Sequence, residues 1–537
     1  MISSIGSTFL ISALFFNVYT IISMFVFLKC KKIEFKISSF YSLYSSTFLI
    51  ITSSLILVRE LIQSNFNIDY ISKYSSINTP LVYKITGLWA GMEGSLLFWL
   101  LILSLYSISV IIIHKKKHQI LMPWVVIVLM FVQLFFLIIC CFFEDPFKPS
   151  DQLLNASSGL NPLLQHPLMV IHPPLLYLGY IGFSVPFAFA ISALLNKKID
   201  ADWIRTTRRW TLFPWGCLSI AIVLGGRWAY LELGWGGYWA WDPVENASLF
   251  PWLTGTAYLH SVLIQEKKNM LKGWNIILIM LTFTLTIFGT YLTRSGIISS
   301  IHAFAATDLG IWFFGFIVII VLFNIIILYY SKNVLQSQNK LDSVISRESG
   351  FLFNNMLFVA ICIAVLWGTL YPIISEAFTG TQIMLGPSYF NKVIQPFGII
   401  LVLLTGVGPL LSWRRTSTKS IIKNFFKPFL ISTILTIIWS LIFQIYNFYP
   451  LIFTLLVIFV ILVIFFEFFR AVSTRVRIKN ESPLFALSML FKKNRTRYGG
   501  YIVHLAIMIM IIGFIGKAFD KEADISITPN EIIELEN

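Results

Sequence analysis

The sequence predicts an all-α protein that crosses a membrane about fourteen times, with both termini on the outer face. Three observations predict it. Of 537 residues, 57% are hydrophobic and only 12% are charged, with a mean hydropathy of +0.80; soluble domains of this length carry far more charge. Apolar runs near twenty residues, the length that spans a hydrocarbon core of about 30 Å, recur along the chain. Basic residues concentrate in alternate loops between those runs.

The first run, Phe9 to Leu28, has its positive charges after it rather than before it. That is the reverse of a secretory signal, so it reads as a mature span. The predicted spans are 7–28, 40–62, 95–113, 120–143, 173–195, 211–225, 248–266, 273–293, 311–330, 351–371, 393–412, 428–446, 448–470 and 499–516. The sixth is short, and the twelfth and thirteenth are nearly fused. The loops 29–39, 114–119, 196–210, 267–272, 331–350, 413–427 and 470–498 hold 31 of the 40 Lys and Arg residues. Positive charge stays inside, so these loops are expected to be cytoplasmic. The N-terminus and the chain beyond Phe514 are then outside. The longest basic loop, 470–498, is expected to hold a short amphipathic helix at the cytoplasmic surface. Residues 1–516 read as one membrane domain and 517–537 as a short external tail. The net charge of +15 belongs to topology and does not indicate nucleic acid. Cys30, Cys140, Cys141, Cys217 and Cys362 form no C-x-x-C pair and read as apolar bulk.

An external loop, 226–247, carries the most informative stretch. Between Gly234 and Ser248 the chain reads GWGGYWAWDPVENAS, and five of the sixteen tryptophans fall between Trp228 and Trp252. Indole is bulky and its N–H needs a partner, so such a cluster is poor core material. Trp235, Trp239, Trp241 and Tyr238 suit a flat platform for a large planar ligand of haem size. Gly234, Gly236 and Gly237 let the backbone turn and approach that ligand. Asp242, Pro243 and Glu245 fit the N-cap, N1 and N3 positions of a capping box, and a catalytic role for the two carboxylates stands beside that reading. Arg227 and Arg294 at external span ends either anchor carboxylates or snorkel to headgroups. Glu232 is either a surface residue or a hydrogen-bond partner.

The histidines sort by depth. His114 and His118, in HKKKH, read as solvated topology determinants. His166 has no evident partner. Two prolines follow His172 and open the next helix, which puts His172 at its outer mouth. His302 stands in the external loop after the eighth span. The two are either loop residues or, beside the aromatic platform, a pair of axial ligands. His260 and His504 lie inside apolar spans, where an ionisable group is a functional hypothesis by default. Each is about five residues, or roughly 8 Å, from the cytoplasmic end of its run. Two neutral imidazoles at one depth either clamp a b-type haem iron or bond neighbouring helices.

These segments resemble the WWD haem-handling membrane proteins and, within them, the CcmF family of haem lyase subunits from cytochrome c maturation system I. The resemblance runs over GLWAGMEGS (87–95), NPLLQHPLMVIHPPLLYLGYIGFS (161–184), the tryptophan loop, GTYLTRSGIISSIHAFA (289–305) and YGGYIVHLAIMIMIIG (498–513). It implies that His172 and His302 ligate incoming haem, that His260 and His504 hold a haem b, and that Trp235, Trp239 and Trp241 form the platform. Gly236, Gly237, Tyr238, Asp242, Glu245, Arg227 and Arg294 become candidate haem contacts. The implied activity takes haem from the periplasmic chaperone CcmE and attaches it by thioether bonds to CxxCH of apocytochrome c. A CcmH-type partner presents the apocytochrome and quinol supplies electrons. The family's usual early histidine is Met92 here, which receives no ligand role. The family continues past the span at 499–516 into an external domain and a last span, which 517–537 is expected to lack. A haem transporter and a non-catalytic assembly scaffold are the competing readings. The expected location is a bacterial inner membrane, with the mitochondrial inner membrane as alternative.

Overall fold

The structure is a computed structural model that describes residues 2–150, 159–199, 201–233, 237–297, 309–336, 341 and 343–519. Eighteen α-helices are described. The first eight are α1 (Ile2–Cys30), α2 (Ile33–Gln63), α3 (Asp69–Tyr74), α4 (Leu81–Thr86), α5 (Met92–His114), α6 (Met122–Phe142), α7 (Pro167–Gly182) and α8 (Ser184–Leu195). Then follow α9 (Ala201–Glu232), α10 (Pro243–Lys268), α11 (Lys272–Arg294), α12 (Leu309–Leu335) and α13 (Arg347–Thr379). The last five are α14 (Pro387–Val407), α15 (Thr418–Phe443), α16 (Phe448–Lys479), α17 (Pro483–Lys493) and α18 (Arg495–Ile515). No strand occurs among the described residues, as lipid requires of a non-barrel chain whose backbone must bond to itself.

The chain divides into two compact units, residues 1–340 with 351–393, and residues 341–350 with 394–537. In the first, α1 and α2 pair through small polar residues. Ser39, Ser42, Ser46 and Ser53 of α2 donate to the carbonyls of Thr20, Phe16, Ala13 and Gly6. Small side chains let the helices close up, and each bond adds roughly 0.6 kcal/mol in a membrane. The core beyond the hairpin is aromatic. Trp99 and Phe136 stack at 3.6 Å, and Phe135 and Phe316 at 4.0 Å. In the second unit, Val457, Val460 and Val463 of α16 pack with Tyr498, Tyr501 and Met508 of α18. Arg497 pairs with the buried Glu467 at 2.5 Å. The short helix expected in loop 470–498 is α17.

Thirteen helices among the described residues are long and apolar enough to cross a membrane, counting α7 and α8 together. The remaining predicted span is α10. It has the length, 26 residues or about 39 Å, but Asn246, Ser248, Thr254, Thr256 and His260 make it too polar. Its polar side chains bond within the unit: Thr254 donates to the Phe250 carbonyl and accepts from Thr282 of α11.

Two expectations need correction. The helix after the fourth span begins at Pro167, six residues before Pro173, so His172 lies inside it. Pro173 has no N–H for the Met169 carbonyl. The Trp89 indole N–H supplies that bond instead, at 3.2 Å. His114 is not solvated: it is buried and accepts from Trp210 Nε1 at 2.9 Å. His260 stands eight residues before the end of α10 and His504 nine after the start of α18, about 12 and 14 Å along the helices.

Candidate functional site

The site elements lie in the first unit, on α7, α9, α10 and the 237–242 segment. Residues 234–236 and 298–308 fall outside the described residues, so Trp235, Gly236 and His302 do too. His172 projects from α7 onto α9, where its Nδ1 lies 2.8 Å from the Ala221 carbonyl. A carbonyl only accepts, so Nδ1 carries the proton and Nε2 keeps its lone pair. Gly225 makes the approach feasible: a Cβ there would sit 2.5 Å from His172 Cε1. The next residue, Gly226, performs the same service for the aromatic loop, since its Cβ would lie 2.7 Å from the Tyr238 carbonyl oxygen. One step of α9 therefore seats both the histidine and the loop. The only mark of this pair in the sequence is two adjacent glycines at the end of an apolar run.

The loop ends in a locked turn. Trp241 has φ +60°, a left-handed conformation that costs a bulky residue about 1–3 kcal/mol. Several contacts hold it there. Its ring stacks on Phe390 at 5.0 Å, Nε1 donates to Asn391 Oδ1, and its carbonyl accepts from Asn246 Nδ2. Trp239 meets it edge-on at 6.0 Å. The capping box is present: Val244 N–H donates to Asp242, and Glu245 accepts from the N–H groups of Asp242 and Ala240. Asp242 and Glu245 thus start α10 and fix the turn leading into it.

His166 and Glu232, unassigned from sequence, come together. His166 caps α7 by accepting the Leu168 N–H at Nδ1, and its Nε2 lies 3.6 Å from Glu232 Oε1 at the end of α9. The two arginines differ. Arg227 is exposed. Arg294 is buried, donating to Ser95 Oγ and Tyr177 Oη and lying against Met92 Sδ, so it ties α11 to α5 and α7.

Deeper in the unit, His260 Nδ1 lies 2.8 Å from the Thr256 carbonyl one turn earlier, which again leaves the lone pair on Nε2. Phe358 and Phe351 lie alongside the ring, with centroids 6.1 and 6.0 Å away. Thr256 is a junction: its hydroxyl also accepts from Trp215 Nε1 of α9 at 2.8 Å. Trp252 donates to Ser219 of the same helix. Trp215 had no sequence signal, because it stands outside the tryptophan cluster. His504 lies in the second unit, on α18.

A family model described as cytochrome C assembly protein matches residues 89–299. The chain is 35% identical to the cytochrome c-type biogenesis protein CcmF of Pseudomonas aeruginosa over 477 residues, covering 88% of this chain and 71% of that protein. The chain belongs to the CcmF family. It is also 37% identical to CcmF of Escherichia coli, over 73% of this chain and 60% of that protein. A solved structure titled cytochrome c heme lyase CcmF superposes with a TM-score of 0.79 at 27% identity, covering 97% of this chain and 78% of that one. As a CcmF-family member, this multi-pass membrane protein serves cytochrome c maturation and handles haem.

Proposed function

We propose that this chain is the haem lyase component of a cytochrome c maturation system, holding haem at the outer face while apocytochrome cysteines attack it. The observation that carries this reading is the Gly225–Gly226 step, which seats His172 and the aromatic loop on one turn of α9. His172 is an axial ligand for the substrate haem, with His302 as its partner. Trp235, Trp239 and Trp241 line the platform, with Gly236, Gly237 and Tyr238 close to the ring. Arg227, exposed at the outer end of α9, suits a propionate better than the internally bonded Arg294. Thioether formation adds a cysteine S–H across each haem vinyl C=C, so it needs no net oxidant. The residues named here supply position and exclude water, and the thiols and vinyls supply the reactivity.

His260 and His504 are the proposed ligands of a haem b, and the contact of His260 Nδ1 with the Thr256 carbonyl supports that reading for His260. Bound there, a haem b would supply one-electron chemistry, passing electrons from quinol to keep the substrate iron reduced. CcmE is the proposed haem donor and a CcmH-type protein the proposed apocytochrome carrier. The proposed location is the bacterial inner membrane, with the tryptophan loop and both termini on the periplasmic side.

The test is complementation. The chain is expressed in a bacterium that lacks its own lyase subunit but keeps the other maturation proteins and a CxxCH reporter. Covalent haem on the reporter, read after denaturing electrophoresis, is expected with the intact chain and lost with His172→Ala. A transporter would deliver haem without any covalent product. A scaffold would tolerate replacement of all four histidines.

A further inference from the structure

In the second unit, α16 is longer than a membrane's apolar layer is thick. Its 32 residues extend about 48 Å, against about 30 Å of hydrocarbon. The apolar part, 448–469, accounts for about 33 Å and holds one charged residue, Glu467. The rest of the helix carries Arg470, Arg475, Arg477 and Lys479. The change from apolar to basic therefore falls at headgroup depth, between Phe469 and Arg470. An open groove of about 360 Å³ straddles that boundary. Phe466 and Phe469 line its apolar side, and Arg470, Ser473, Thr474 and Arg477 line its polar side. Steps of three and four residues put all six on one face of the helix.

The arginines at this end divide by partner. Arg475 forks onto Glu481, with Nη2 2.6 Å from Oε1 and Nε 2.9 Å from Oε2. Arg497 takes Glu467. Arg470 instead donates to the neutral Asn424 amide oxygen of α15 at 2.9 Å. Among the described residues no carboxylate lies within ion-pair distance of Arg470 or Arg477. The neighbouring α15 adds charge and neutralises none. Lys419, Lys423 and Lys427 are exposed in its first turns, and the chain has no Asp or Glu between Glu376 and Glu467.

We propose that this groove holds an anionic phospholipid, its phosphate between Arg470 and Arg477 and an acyl chain along Phe466 and Phe469. The two guanidiniums supply charge and paired donors. Ser473 supplies a hydroxyl between them, while the Thr474 hydroxyl is committed to the Arg470 carbonyl. Topology accounts for basic residues in a loop. It does not account for two arginines without a carboxylate on one helix face, beside a third that is fully paired. The rings decide for a lipid over a soluble phosphate compound, which has no use for an apolar wall. Occupancy of the groove is independent of haem handling.

The test takes the full chain from nanodiscs of mixed phosphatidylglycerol and phosphatidylcholine and reads the retained lipid by native mass spectrometry. Three variants are compared: Arg470→Gln with Arg477→Gln; Ser473→Glu; and, as control for general attraction to basic loops, Lys115→Gln with Lys116→Gln and Lys117→Gln. Ser473→Glu keeps both arginines and changes an exposed side chain, so it decides the matter if the double variant fails to insert. Wild type and control should retain phosphatidylglycerol over phosphatidylcholine by about tenfold, and both groove variants should lose that preference. No preference in wild type, a preference that survives in the groove variants, or equal loss in the control would overturn the proposal. Displacement of the retained lipid by inorganic pyrophosphate would overturn the choice of a lipid.

Discussion

The rings of His172 and His260 each give their Nδ1 proton to a helix carbonyl at 2.8 Å, but not to the same kind of helix. His172 bonds to a neighbour: its carbonyl, and the glycine that makes room for it, belong to α9. His260 bonds to the preceding turn of its own helix. His172 is therefore positioned by tertiary packing and His260 by local helix geometry. The two rings can be disturbed separately, and what reaches one need not reach the other.

The largest expected separation comes from Gly225→Ala. Its methyl would lie 2.5 Å from the His172 ring, which must move. Overpacking of this kind costs about 1–3 kcal/mol, and displacing the ring proposed as a haem ligand should lower covalent haem transfer about ten- to hundredfold. The b-type spectrum of the purified variant should stay intact. Loss of both signals together would break the comparison.

Thr256→Val probes the inner site. It keeps the carbonyl that orients His260 but strands the Trp215 indole N–H. An unsatisfied buried donor costs about 1–3 kcal/mol, so the apparent Tm should fall while haem absorbance per protein is unchanged. A spectral change would mean that the hydroxyl, and not the backbone, sets the ring.

A smaller effect is expected from Trp89→Phe, which removes the indole N–H from the Met169 carbonyl freed by Pro173. The loss should be about 1 kcal/mol, seen as a severalfold drop in covalent haem with no change at His260.

The smallest effect is a pH dependence carried by Glu144, just past the end of α6. Burial, helped by the nearby Glu93 carboxylate, pushes the Glu144 carboxyl up to about 7. Between the ordinary carboxylate range and pH 7 the folded chain keeps a proton that the unfolded chain has released, so stability falls as pH rises through that window. Glu144→Gln should flatten the dependence of apparent Tm between pH 5 and 8. An unchanged slope would remove Glu144 from the account.

The sequence and the structure agree where a feature is local and part where it depends on packing. The capping box of Asp242 and Glu245 was readable because all its members lie within four residues. The helix carrying His260 was readable from its apolar run, even though its polar side chains leave it below the usual hydropathy of a span. The early start of α7 was not readable. Pro173 and Pro174 look like helix-opening prolines, and only Trp89, far away in sequence, supplies the bond that lets the helix begin before them. The partnerships of His114 with Trp210, His166 with Glu232, and Thr256 with Trp215 were hidden for the same reason. Each joins side chains from different helices, and no spacing rule reaches across that separation.

The measurement closest to the central claim is the reduced-minus-oxidised spectrum of the purified chain beside His260→Ala, His504→Ala and His172→Ala. A b-type spectrum in wild type and His172→Ala that disappears in the other two is the predicted result. It would establish a resident haem held apart from the outer histidine. No haem in wild type from haem-sufficient cells, or a spectrum that survives loss of either inner histidine, would contradict the account.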